Sequence, residues 1–141
     1  MEDGSTKSSF IGITIPLLMM LDAQNGVHSN AVALRKVGDT LSDSVYAQIL
    51  WGIERLGVSE YWDAKVSPLK LIYKPTGQQI IFRSSNNKDD YRKIKSTKFQ
   101  KGFCKYVWFE ELDEFFGMEE IRSIIQSLLR GRKWLRGFLF L

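Results

Sequence analysis

Apolar positions in this chain fall into a few runs whose spacing alternates between helical and extended. Phe10 to Asp22 is long and apolar enough for a helix, with a glycine-containing loop before it. Pro16 in its interior removes a backbone donor and predicts a kink, and Gln24-Asn25-Gly26 closes the segment. Ala31 to Lys36 is a short apolar run between polar neighbours, the pattern of a buried parallel strand. Asp39 is placed to cap a second helix, in which Leu41, Val45, Ile49, Ile53 and Leu56 form an apolar stripe ending at Gly57. Leu69 to Lys74 and Gln78 to Arg83 read as strands joined by Pro75-Thr76-Gly77, turn chemistry for a hairpin. After a polar loop from Ser84 to Asp90 come an apolar strand, Tyr106 to Phe109, and a helix with Ile121, Ile124, Ile125 and Leu128 on one stripe. This order predicts an α/β fold, a mainly parallel sheet with a β-hairpin insertion beside it.

A length of 141 residues suits one domain with a sizeable core. The longest apolar run, Phe10 to Leu21, falls short of the roughly 20 residues a membrane span needs. Glu2 and Asp3 give the wrong charge for a secretory leader, so a cytoplasmic protein with no membrane segment is expected. The lone Cys104 beside an apolar strand reads as a buried structural thiol in a reducing compartment. His28 has no second histidine or clustered cysteines near it, which leaves no zinc pattern, and Trp51, Trp62 and Trp108 read as core or interface aromatics.

Net charge is +4, but it is segregated. Arg83, Lys88, Arg92, Lys93, Lys95, Lys98, Lys101 and Lys105 stand against Asp89 and Asp90, whereas Glu110 to Glu120 holds six acidic residues and no basic one. Such a division suits a polyanion at one surface and a cation at another, and it equally describes solvated faces. Tyr91, Phe99 and Phe103 lie among the cations, where they either stack on bases or pack.

Two short strings bear on chemistry. Gly4-Ser5-Thr6-Lys7-Ser8-Ser9 precedes an apolar helix, as the end of a phosphate-binding loop does. There backbone N–H groups cradle phosphates, the lysine reaches them and the next hydroxyl helps hold magnesium. Thr6 stands where the pattern GxxxxGK[ST] has its second glycine and Met1 where it has its first, so an exposed turn is the other reading. A hundred residues later, the strand ending in Trp108-Phe109 delivers Glu110 and Glu111, suited to holding a metal through water and to orienting the attacking water. The alternative is that Glu110, Glu111, Asp113 and Glu114 form the acidic start of a helix. Lys7-Ser8 and Glu110-Glu111, at opposite ends of an alternating α/β pattern, favour the nucleotide reading.

Five strings together resemble the amino-terminal ATPase region of phage terminase large subunits of the PBSX type. They are Gly4-Ser5-Thr6-Lys7-Ser8-Ser9-Phe10; Ala33-Leu34-Arg35-Lys36 with Asp43-Ser44-Val45-Tyr46; Pro75-Thr76-Gly77-Gln78 with Ile80-Ile81-Phe82-Arg83; Lys93-Ile94-Lys95-Ser96; and Trp108-Phe109-Glu110-Glu111-Leu112-Asp113-Glu114-Phe115. The resemblance runs from Gly4 to about Gly131 and implies a partial ATPase domain over 1–131 followed by a divergent basic and aromatic tail, 132–141. It implies an ASCE-type P-loop NTPase core, ATP and Mg2+ as ligands, and the driving of viral DNA into a capsid.

The resemblance further implies that Gly4, Ser5, Thr6, Lys7 and Ser8 bind the nucleotide, that Ser8 and Glu110 serve the metal, and that Glu111 is catalytic. Its implied partners are double-stranded phage DNA, the small terminase subunit and the portal of the procapsid. Arg83, Lys88, Arg92, Lys93, Lys95 and Lys98 are the candidates for DNA phosphates, and Arg35, Arg83 and Arg92 for an arginine acting in trans. The chain differs from the family where Met1, Glu2 and Asp3 replace a Gly-Gly-Arg-type segment, in the strand expected before it, and beyond Leu129, which predicts an incomplete core. The isolated chain is therefore expected to hydrolyse ATP slowly or not at all, as a prophage remnant would. The alternative from another class is a non-catalytic nucleic-acid-binding or assembly module built on 83–105.

Overall fold

The computed structural model describes residues 3–35, 45–84, 92–94, 96–110, 118–129 and 139–140. Helix α1 spans Asp3–Gln24, strand β1 Ser29–Arg35 and helix α2 Val45–Arg55. A 3-10 turn at Ser59–Tyr61 leads into β2 (Trp62–Val66), β3 (Leu69–Tyr73) and β4 (Gln78–Ser84), followed by β5 (Phe103–Phe109), α3 (Met118–Leu129) and β6 (Leu139–Phe140). The strands form one sheet in the order β2-β3-β4-β1-β5-β6. β4 and β5 flank β1 and run parallel to it, β6 is parallel to β5, and β2 and β3 continue the β4 side as an antiparallel ribbon.

Period-two alternation sends side chains to two cores. Ala31, Ala33, Ile80, Phe82, Tyr106 and Trp108 face α1 and α2, where Ile11, Ile15, Met19, Val45, Ile49 and Ile53 meet them. Val32, Leu34, Ile81, Val107 and Phe109 face the other way, onto Ile121, Ile124, Ile125 and Leu128 of α3. Both faces of the parallel strands are thus covered, the arrangement that parallel sheets require. Against the sequence, Asn30 pairs with Cys104 and Ala31 with Tyr106, so Lys105 is an extra residue in β5. That bulge places Cys104 in the same core as Val107 and Phe109.

The helix α1 departs from expectation at both places where it was marked. It begins at Asp3, so Gly4 to Ser9 form its first turns and no separate loop, and it runs unbroken past Pro16. Tertiary contact explains the tolerance: Pro16 leaves the Gly12 carbonyl without its intrahelical donor, and that carbonyl faces α2 at Gly52. A Cβ at Gly52 would run into it, and one at Gly12 would run into the Gln48 carbonyl, so the two glycines let the helices cross backbone to backbone.

The hairpin also needs correction. β3 and β4 pair as expected around a turn in which Gly77 has φ 84°, but β4 is a core strand, register-matched to β1 from Ala31↔Ile80 to Arg35↔Ser84. The inserted part is β2 with β3. Strand β2 escaped the sequence pattern because most of it is solvent-exposed, with only Trp62 buried. Asp39 and Leu41 lie outside the described residues, as does most of the segment 132–141, whose Leu139–Phe140 adds a short strand to β5. Among the described residues no helix is long and apolar enough to cross a membrane.

Candidate functional site at the carboxyl edge of the sheet

In an open α/β sheet the ends of parallel strands leave a crevice beyond their carboxyl termini, where ligands bind. Here that edge is formed by Arg35 of β1, Arg83 and Ser84 of β4, and Glu110, immediately after β5. The Glu110 N–H donates to the Leu34 carbonyl at 2.8 Å, extending the β1–β5 pairing by one residue. Alternation then puts Arg35 and Glu110 on the face of Ala33 and Trp108, the face that α1 covers. Arg35 Nη1 lies 3.7 Å from Glu110 Oε2, with the two side chains 17% and 11% exposed.

The amino end of α1 reaches the same edge. Met19 sits at the opposite, amino edge, where its carbonyl accepts from Gln78 Nε2 at the start of β4. From Met19 back to Lys7 the helix rises roughly 18 Å, about the length of β4 from Gln78 to Ser84. The helix is therefore long enough for the backbone of Lys7 and Ser8 to reach the level of the strand ends. The side chains of Ser5, Thr6, Lys7 and Ser8, and Glu111, are outside what the structure describes. A carboxylate oxygen from Glu110 is a hard donor of the kind magnesium takes, and in this structure the Arg35 guanidinium stands beside it as a countercharge.

Arg83 belongs to the other face by the same alternation, beside Leu34. Its Nη1 donates to the Phe82 carbonyl at 3.2 Å, its Nε is buried without a hydrogen-bond partner, and desolvation lowers its pKa. The basic run therefore does not form one patch. Arg83 stands at the carboxyl edge, whereas Lys105 is at the amino end, where its Nζ contacts Asp22 at 3.1 and 3.3 Å. Arg92, Lys93 and Lys98 are exposed, with Ile94 between them buried against α3, and Lys88 and Lys95 lie outside the described residues. Phe99, half-buried, packs against that same core.

Two further expectations can be placed. Burial pushes the Cys104 thiol up to about 12, which keeps it protonated and unreactive. Trp62 and Trp108 are core residues, and Trp51 is 39% exposed beneath the Arg55 guanidinium. Sequence reasoning passed over Arg35 as a partner of Glu110, because the two meet only through the pairing of β1 with β5.

Residues 2–136 match the family model described as phage terminase large subunit. The chain belongs to the phage terminase large subunit family. It is 40% identical over 128 residues to the terminase large subunit of Bacillus phage SPP1, an alignment that covers 91% of this chain and 28% of that protein. The chain thus spans little more than a quarter of the length of the curated relative it matches. The resemblance read from Gly4-Ser5-Thr6-Lys7-Ser8 and Trp108-Phe109-Glu110-Glu111 is borne out at the level of this family.

Proposed function

We propose that this chain is the nucleotide-binding part of a DNA-packaging motor, with an ASCE-type P-loop site between the start of α1 and the end of β5. The observation that carries the reading is the placement of Glu110 at the carboxyl edge, on the sheet face that α1 covers. In this reading the amino end of α1 contributes unpaired backbone N–H groups and a favourable dipole to phosphate oxygens, and Lys7 adds a point charge. Ser8 and Glu110 would hold Mg2+, whose charge would offset that of the phosphates, and Glu111 would orient the attacking water. The small terminase subunit, the procapsid portal and double-stranded DNA are its proposed partners in the bacterial cytoplasm.

The reading is tested by equilibrium binding of a fluorescent ATP analogue with Mg2+, followed by phosphate release. Binding should be lost in Lys7→Ala and retained in Glu111→Gln, while any steady phosphate release should vanish in both. Analogue binding that Lys7→Ala leaves unchanged would reject the site. The rival reading, a nucleic-acid module on 83–105, draws less support from the fold because Lys105 is committed to Asp22 and Arg83 is half-buried at the opposite edge. Salt-dependent DNA binding that persists without nucleotide and in Lys7→Ala would revive it.

A further inference from the structure

We propose that Arg35 is a positioning residue for Glu110: it holds the carboxylate on the α1 face of the sheet edge and yields it when a divalent cation binds. The inference rests on the metal role proposed above for Glu110. Its starting point is register. With the Glu110 N–H bonded to the Leu34 carbonyl, the residues that follow Leu34 and Phe109 are obligatory neighbours, whatever their side chains. One is a cation and the other an anion, and both side chains are more than four-fifths buried. A carboxylate this far from water is costly unless a charge compensates it.

The geometry of the pair is what makes it exchangeable. At 3.7 Å, Nη1 and Oε2 attract electrostatically but are too far apart for a well-formed hydrogen bond, and far from the bidentate fork that makes Arg–carboxylate pairs strong. A divalent cation carries twice the charge and approaches carboxylate oxygens more closely. It competes with Arg35 for Glu110 and is repelled by Arg35 while that side chain stays in place. Arg35 therefore sets how readily the site accepts a metal, and neutralising it should tighten metal binding. A residue with a merely structural role would do the reverse, because loosening the edge would misplace Glu110.

Mn2+ binding to the chain, followed by electron paramagnetic resonance without nucleotide, separates these cases. Arg35→Gln should tighten Mn2+ binding by roughly three- to tenfold, Arg35→Lys should stay near the wild-type value, and Glu110→Gln should weaken it at least as strongly. In parallel, Mg2+ titration should shift the Arg35 Nε–Hε resonance of the wild-type chain and leave it unmoved in Glu110→Gln, a readout that does not depend on the Arg35 variants folding. Weaker or unchanged binding in Arg35→Gln, with Glu110→Gln still weakened, overturns the role of Arg35 and leaves the metal site standing. An unmoved Arg35 resonance while Mn2+ still binds overturns it as well. If Glu110→Gln binds Mn2+ like the wild type, the metal reading fails and the Arg35 proposal falls with it.

Discussion

The two edges of the parallel sheet are built to opposite rules. At the amino edge polar groups are matched to one another. Gln78, fully buried, donates from Nε2 to the Ser29 carbonyl at 2.7 Å and to the Met19 carbonyl at 3.2 Å, and its Oε1 accepts from Thr76 Oγ1 at 2.6 Å. Asn30 donates to the carbonyls of Lys101 and Phe103 and accepts from the Gln79 N–H at 2.8 Å. Asp22 accepts from Tyr106 at 2.7 Å and is paired with Lys105. At the carboxyl edge the matching is poorer: the Arg35–Glu110 contact is long, and the Nε of Arg83 and Nε1 of Trp108 are buried without hydrogen-bond partners. The amino edge spends its polar groups on fixing α1 against the strands, whereas the carboxyl edge leaves the Arg83 Nε and the Trp108 Nε1 unmatched.

If that contrast is right, damage should be expensive at one edge and cheap at the other. Gln78→Ala should cost the most, about 3 kcal/mol, because it opens a cavity and strands the Ser29 and Met19 carbonyls. Urea unfolding measures it, and a loss below about 1 kcal/mol would mean that the amino edge is not a fixed frame. Tyr106→Phe should cost about 1.5 kcal/mol, the scale of a hydrogen bond to a charged acceptor. The same hydroxyl predicts an alkaline limb. Burial, with help from Asp22, raises the Tyr106 pKa above its usual 10.0, so the neutral form is favoured in the folded chain. Its contribution is complete below pH 10.0 and declines as pH rises from there through the folded value, a decline that Tyr106→Phe should lack.

Asp22 predicts a smaller acid limb of opposite sign. Burial raises its pKa, but hydrogen bonds from Tyr106, Ser29 and Lys105 and the Lys105 charge outweigh this and leave it below 3.8. The stabilisation is present above pH 3.8 and is lost as pH falls through the lower, folded value. With solvent screening its rim, the effect should be about 0.5–1 kcal/mol, and Asp22→Asn should flatten that limb in thermal melts. The smallest effect should come from the other edge. Arg83→Met, which replaces a desolvated cation with an apolar chain, should change stability by less than about 0.5 kcal/mol in either direction. A loss as large as that of Gln78→Ala would erase the contrast between the edges.

Much of this was legible before the structure. The strand ending in Trp108-Phe109 is recognisable because parallel strands buried on both faces read as continuous apolar runs, and α3 because its isoleucines repeat at helical spacing. The stripe Val45, Ile49 and Ile53 faces the core as expected. What was illegible depends on contacts distant in the chain. The start of α1 looked like a loop because glycine and serine are weak helix formers, and Pro16 looked like a kink because the close approach of α2 at Gly12 and Gly52 cannot be read from the local sequence. Strand β2 had no apolar signature because its sides are wet.

The candidate site divides along the same line. Local chemistry determined by itself that a lysine and hydroxyl stand just before an apolar run, that two glutamates follow an apolar strand, and that these strings belong to one family. Only the tertiary structure decided that β1 lies beside β5, since nothing in either segment names its neighbour. That adjacency puts Arg35 next to Glu110, while the register of β1 with β4 sends Arg83 to the opposite face and Asp22 holds Lys105 at the amino edge, away from the basic run to which it belongs in sequence. The physical reason is that composition and periodicity are properties of a segment, whereas a charge acquires its partner only when the sheet sets the register.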